Sequence, residues 1–273
     1  MSAVELHHGA ATHVGRVREV NEDSHLASPP VFAVADGMGG HDGGDVASAI
    51  VVEEFSRLAA TGYDPARGAE VVAGVLDTAN ARIDQYVAEQ QAAGQPDFQS
   101  GTTAVAALLV EAEGETRWLL ANVGDSRAYR FDAGRLEQVS VDHSLVQELV
   151  EAGEISAAEA AEHPARHVVT RALGGPDRPE PDFFLLPLAG TSRLVLCSDG
   201  INEMLDDEEI AAVLARAPDP RDAAEGLVAE AVAAGGRDNA TAVVVDVVGW
   251  ADDPAEDSDR QRVGLEEKLG ALP

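Results

Sequence analysis

Two apolar, β-rich runs in this chain stop at the same pair of residues. Val31-Phe32-Ala33-Val34-Ala35 runs into Asp36-Gly37, and Leu194-Val195-Leu196-Cys197-Ser198 runs into Asp199-Gly200. Short apolar runs of this kind are buried strands, so each carboxylate is delivered at the margin of a core. A charge there is costly unless a cation compensates it. The glycine lets the backbone turn sharply, and its carbonyl can itself face a hard cation. Either pair alone also reads as a common turn. Gly236-Arg237-Asp238-Asn239, just ahead of a last apolar run, adds a third acidic strand margin and makes coincidence harder to sustain.

Glu22, in Asn21-Glu22-Asp23, and Asp125, in Val123-Gly124-Asp125-Ser126-Arg127, complete a set of five scattered acidic candidates. Oxygen-only donors on turns suit Mg²⁺ or Mn²⁺ better than zinc. A paired site of that kind activates water against phosphate esters. Arg18 precedes Glu22 and Asp23 by less than two turns of chain. It either grips a phosphate with its planar fork while Glu22 holds metal-bound water, or forms a surface ion pair worth under about 1 kcal/mol. Spacing leaves both open.

The periodicity divides the chain into layers. Residues 7–35 read as two strands around the polar stretch 18–23. A glycine-rich turn over 37–44 follows, with Asp45 as the expected N-cap of a helix to about Ala60. A second helix, 65–91, places Val72, Val75, Leu76, Ala79, Ile83, Tyr86 and Val87 on one face. From Ser100 the period shortens: 102–111, 118–122, 127–131 and 136–139 read as an antiparallel meander. The stretch 143–164 is helical, with capping boxes expected at Ser144/Gln147 and Ser156/Glu159. Strands at 182–187 and 192–198, helices from Asp206 and from Asp219-Pro220, and a final strand at 241–248 complete the pattern. Regular βαβ alternation is missing, so the fold class is α+β, helices covering antiparallel sheets, rather than a doubly wound sheet. One domain is expected over 1–248, with an acidic, flexible tail over 249–273 that carries a short helix near 263–269.

Composition narrows the setting. A net charge of −30 opposes binding to nucleic acid or anionic membranes, and bound divalent ions would invert that potential locally. No apolar run reaches the roughly 18 residues that cross a bilayer, and no export signal is visible. A single cysteine, Cys197, fits a reducing cytoplasm. It reads as a buried strand residue, because a cysteine-dependent phosphatase needs Arg six positions on, where this chain has Glu203. The glycine-rich turn lacks the Gly-Lys-Ser/Thr ending of a P-loop. The eight histidines show no zinc spacing.

Six ordered segments resemble the motifs of metal-dependent protein phosphatases of the 2C (PPM) type, above all the bacterial serine/threonine phosphatases. They are Arg18-Glu19-Val20-Asn21-Glu22-Asp23, Ala35-Asp36-Gly37-Met38-Gly39-Gly40, Ser100-Gly101-Thr102-Thr103, Val123-Gly124-Asp125-Ser126-Arg127, Cys197-Ser198-Asp199-Gly200 and Arg237-Asp238-Asn239-Ala240-Thr241. The resemblance spans about residues 8–248. It implies a central β-sandwich of two antiparallel sheets flanked by pairs of antiparallel helices. It implies that Asp36 bridges two Mn²⁺ or Mg²⁺ ions, that Asp199 and Asp238 complete the first, and that the Gly37 carbonyl ligates the second. Glu22 and Asp23 would act mainly through that ion's waters, and Arg18 would bind the phosphoryl group. In bacterial relatives a third ion is held by Asp125 with Asp199, and residues 143–173 match the mobile flap beside the site.

By the same resemblance, a metal-bridging hydroxide attacks phosphorus directly and no phosphoenzyme forms. The expected substrates are phosphoserine and phosphothreonine proteins, the expected counterpart is a serine/threonine kinase, and the expected state is a cytoplasmic monomer. Many eukaryotic members carry His after the Asp-Gly; this chain has Met38. The leaving-group acid is therefore unassigned, a metal-bound water coming before His41. A pseudophosphatase that binds phosphoproteins without turnover stays open; a metal nuclease conflicts with the charge.

Overall fold

Alternation along two central strands sets the architecture. The computed structural model describes residues 4–38, 43–175 and 178–250. In chain order the strands and helices begin with β1 (Val4–His13), β2 (Asp23–Ser28), β3 (Val31–Met38), α1 (Gly44–Thr61) and α2 (Gly68–Ala92). Next come β4 (Gly101–Thr102), β5 (Ala104–Ala112), β6 (Glu115–Val123), β7 (Arg127–Asp132), β8 (Arg135–Gln138), α3 (Leu145–Glu151) and α4 (Ala157–Glu162). Then follow β9 (Asp182–Pro187), β10 (Arg193–Cys197), α5 (Asp199–Asn202), α6 (Asp207–Arg216), α7 (Pro220–Ala234) and β11 (Ala240–Trp250).

One antiparallel sheet runs β1-β11-β10-β7-β8; the other runs β2-β3-β5-β6-β9, with β4 pairing the end of β3. In β3, Val31, Ala33 and Ala35 pack outward under α1 and α2. Phe32 and Val34 point the other way, between the sheets. In β10, Val195 and Cys197 pack outward under α6 and α7, while Leu194 and Leu196 fill the interior. Period-two side-chain alternation thus makes both strands apolar on both faces and forces four layers, helix on sheet on sheet on helix. Phe32 and Trp118 meet edge to face between the sheets, ring centroids 6.0 Å apart.

The expected sandwich and most expected elements are present, with five local differences. Three strands, not two, occupy the first segment: β2 pairs with β3 and sets Asp23 opposite Asp36. Its sequence, DSHLAS, has little β-propensity, and pairing along the sheet edge overrides it. Asp45 is not the cap of α1; Gly43 holds that place without a side-chain bond, and Asp45 lies in the first turn. The helical stretch 143–164 is two short helices, with a complete capping box only at Ser156. Ser144 accepts from the Gln147 N–H, but the Gln147 side chain donates to Glu151 instead of returning. Asp199 opens α5 rather than lying on a turn. The final strand reaches Trp250, while His41 and the tail from 251 lie outside the described residues.

Candidate metal centre

Asp36 lies on the same face of β3 as Phe32 and Val34, so the inner face of the sandwich continues straight into a carboxylate. Its backbone is pinned by the two threonines around β4. Asp36 N–H donates to Thr103 Oγ1 at 3.0 Å, and Thr103 N–H and Thr102 Oγ1 donate to Asp36 O at 2.9 and 2.8 Å. Thr103 Oγ1 also shares a 2.7 Å hydrogen bond with Ser126, next to Asp125. The Ser100–Thr103 segment therefore couples the strand end at Asp36 to the β6–β7 loop.

The opposite wall comes from the other sheet. Asp199 starts α5, and Gly200 lets that turn lie against β11: a Cβ there would stand 1.9 Å from Asn239 O. Asn239 ties down the Arg18–Asp23 segment. Its Nδ2 donates to Val14 O and Val20 O, both at 3.0 Å, and its Oδ1 accepts from Glu22 N–H at 2.8 Å. Asp23 bridges the sheets: its Oδ2 accepts from Ser198 Oγ and Thr241 Oγ1, each at 2.7 Å. The Glu22 carboxylate meets the first backbone N–H of α1, at Gly44, the end where a helix favours negative charge.

A single cavity of about 430 Å³ is lined by Arg18, Glu22, Asp36, Gly37, Asp125, Asp199 and Asp238. These are the sequence candidates with one exception. Asp23 lies behind the lining, its carboxylate engaged by the two hydroxyls. Arg18 donates to Asp238 Oδ2 at 2.6 Å, with half its side chain exposed at the cavity mouth.

Without cations this crowd of carboxyls resists ionisation. Burial, then Asp199, Asp23 and Asp125, push Asp36 well above the usual carboxylate range. Burial, then Asp125, Glu203 and Asp238, do the same to Asp199. The two carboxyls face each other, so each makes it harder for the other to lose its proton. Burial lifts Asp23 to about 6 against the pull of its hydroxyl partners, and burial with Asp142 lifts Asp125 to about 6.

A family model described as Protein phosphatase 2C matches residues 13–231. The chain belongs to the protein phosphatase 2C family. The serine/threonine phosphatase stp of Listeria welshimeri is 36% identical over 250 residues, covering 88% of this chain and 96% of that protein. The serine/threonine protein phosphatase PstP of Mycobacterium tuberculosis is 36% identical over 245 residues, covering 90% of this chain but 46% of PstP. This chain therefore spans about half of that longer relative. A crystal structure of the PstP catalytic domain in complex with two manganese ions superposes with a TM-score of 0.77 at 34% identity, over 90% of this chain and 100% of that one.

The cavity fits the hard divalent cations of a 2C-type phosphatase. Its candidate donors are carboxylate and carbonyl oxygens, and Asp199 Oδ1 and Asp23 Oδ1 are buried without a hydrogen-bond partner. Several residues that shape this centre were not assigned roles from sequence. Ser198 and Thr241 hold Asp23, and Asn239 holds the Arg18–Asp23 loop; all three sit in quoted motifs, within three residues of a candidate Asp, which is the available signal. His143 was missed as well. Its Nδ1 accepts from Gly124 N–H at 3.1 Å, and its own N–H donates to Gly124 O at 3.0 Å. It thereby clamps the turn that carries Asp125 to the segment that leads into α3, and no feature of its sequence neighbourhood announces that.

Proposed function

We propose that Asp36, Asp199, Asp238 and the Gly37 carbonyl hold two Mn²⁺ or Mg²⁺ ions, with Glu22 and Asp23 supporting the second through water. Asp125 with Asp199 would hold a third. The observation behind this reading is the convergence, from both sheets, of buried carboxyls that cannot all ionise without added positive charge. Bound ions would supply that charge, neutralise phosphoryl oxygens and acidify a water near neutral pH.

The chain's own groups bind and orient. Arg18 carries a guanidinium fork at the mouth, able to exchange Asp238 for two phosphoryl oxygens. Among the described lining residues none offers a hydroxyl or thiol, so a phosphoserine or phosphocysteine intermediate has no candidate. Cys197 is fully buried on the helix side of β10, and burial pushes its thiol up to about 12. Asn239 and Asp23 fix the spacing between the sheets and exclude slack from the site.

The enzyme is a metal-dependent serine/threonine protein phosphatase acting on phosphoproteins. We place it opposite a serine/threonine kinase, as a cytoplasmic monomer with its catalytic domain over 1–248 and an acidic tail beyond. Among the described residues no helix is long and apolar enough to cross a membrane, and the lone buried cysteine supports a reducing compartment. The test is hydrolysis of a phosphothreonine peptide and of p-nitrophenyl phosphate in Mn²⁺. Turnover abolished by EDTA and by Asp199→Ala supports the reading. Phosphopeptide binding without turnover would instead make the chain a phosphoprotein-binding module.

A further inference from the structure

The rim of the cavity gathers positive charge that the rest of the molecule neutralises. In a chain of net charge −30, the described arginines without a described carboxylate in ion-pair reach are Arg16, Arg135, Arg166, Arg221 and Arg237. Arg166 and Arg237 line the cavity itself, and Arg16 adjoins Arg237. Two backbone contacts fix that last pair. Arg16 N–H donates at 2.7 Å to the carbonyl of Gly236, the residue before Arg237. Gly15, at φ +81°, lies so close that a Cβ there would stand 2.3 Å from the carbonyl oxygen of Asp238, the residue after it. The loop that carries Arg16 and Arg18 is thus laid against the turn that carries Arg237 and Asp238. Arg16 and Arg237 are both exposed. Val17 and Val20, on the same loop, are the most exposed large apolar side chains described, at 69% and 56%. Cations without partners and valines without cover stand together beside the opening, which suits an anionic segment of another chain.

We propose that Arg16 and Arg237 form a second anion subsite on this rim, which holds a second phosphorylated residue of the substrate while the first is hydrolysed. The preferred substrates are therefore protein segments phosphorylated at two nearby positions. This rests on the phosphatase reading and adds a substrate class to it. Phosphate suits the pair better than a carboxylate does. Two guanidinium forks offer two sets of parallel N–H donors. A phosphorylated side chain brings three acceptor oxygens and close to two negative charges, against two oxygens and one charge for Asp or Glu. The overall charge of −30 repels such a segment, and the rim locally reverses that field. Arg18 takes the first phosphate, Arg16 stands two residues earlier on the same loop, and Val17 leaves an apolar step between them.

The test compares a phosphothreonine peptide with versions that carry a second, non-hydrolysable phosphonate residue at successive positions on either side. The full chain is assayed in Mn²⁺, and kcat/KM is read for each peptide at low and high salt. At its best spacing the second phosphonate should raise kcat/KM by about tenfold, mainly through KM, and added salt should shrink that advantage. Arg16→Gln and Arg237→Gln should each cut the advantage to about threefold or less, while Arg16→Lys and Arg237→Lys, which keep the charge without the fork, should retain part of it. A residue that only shapes the loop would lower both peptides together and leave their ratio untouched. An unchanged ratio in both glutamine variants, no advantage at any spacing, or an equal advantage from glutamate at the same position overturns the proposal. Turnover of the plain phosphopeptide alongside any of these results leaves the hydrolase standing, whereas no turnover of any peptide in Mn²⁺ or Mg²⁺ removes both.

Discussion

Asp125→Asn should make the metal-free protein more stable while weakening it as an enzyme. In the absence of ions Asp125 titrates at about 6, against 3.8 for the unperturbed side chain. Burial is the first cause and the Asp142 charge the second. That shift of about two units corresponds to an upper bound of about 3 kcal/mol lost from folding when the group is ionised. Because its carboxyl neighbours relax together, about 2 kcal/mol is the expected gain on removing the charge. The direction follows from a raised folded-state value. The folded chain holds the proton more tightly than the unfolded chain, so wild-type stability declines as pH rises from about 4 through 6. Asparagine keeps the shape and an acceptor oxygen but does not titrate. In EDTA the melting temperatures of wild type and variant should coincide near pH 4, separate across pH 4–6, and differ by about 4–8 °C at pH 8. Saturating Mn²⁺ should narrow or reverse the gap, since binding to the native state stabilises the wild type more. Melting curves in EDTA and in Mn²⁺ across this pH range decide it. A variant no more stable than wild type at pH 8 in EDTA, or a gap of equal size at pH 4, would refute the reasoning.

Three further outcomes follow from named contacts. Arg193 is buried, bonded through two nitrogens to Asp246 and to the carbonyls of Leu214, Ala217 and Pro218 at the end of α6; Arg193→Ala should cost about 3–5 kcal/mol in urea unfolding. Gly200→Ala puts a methyl 1.9 Å from Asn239 O and displaces Asp199, so kcat in Mn²⁺ should fall by about 10²-fold with the fold retained by circular dichroism. Arg18→Lys keeps the charge at the mouth but loses the fork, and should lower kcat/KM for a phosphothreonine peptide by about tenfold, mainly through KM.

The sequence carried the fold where alternation was strong. Residues 31–35 and 194–197 are apolar at every position because each face meets a separate layer, and that pattern is visible without coordinates. β2 escaped notice because its polar residues acquire their conformation from β3 rather than from themselves. The candidate ligands were legible because an Asp at the end of a buried strand is anomalous in the local sequence. The residues that hold those ligands in place were not: Asn239, Ser198, Thr241 and His143 are unremarkable polar side chains until the fold sets them opposite partners 19 to 225 positions away. The Gly43 cap of α1 was equally hidden, since the Glu22 carboxylate across the loop meets the helix end that a local cap would have served.

The proposed ligands are shared between the two halves of the sandwich. Asp36 rides on the sheet under α1 and α2, Asp199 and Asp238 stand just beyond the ends of β10 and β11 in the sheet under α6 and α7, and Asp125 lies on the loop that crosses between the sheets. The distance separating these oxygens is therefore set by the thickness of the packed interior, with Phe32 and Trp118 as spacers. Trimming a spacer deep in the molecule would change the reach of the reactive end as surely as replacing an aspartate, so damage to the core should surface first as lost affinity for metal.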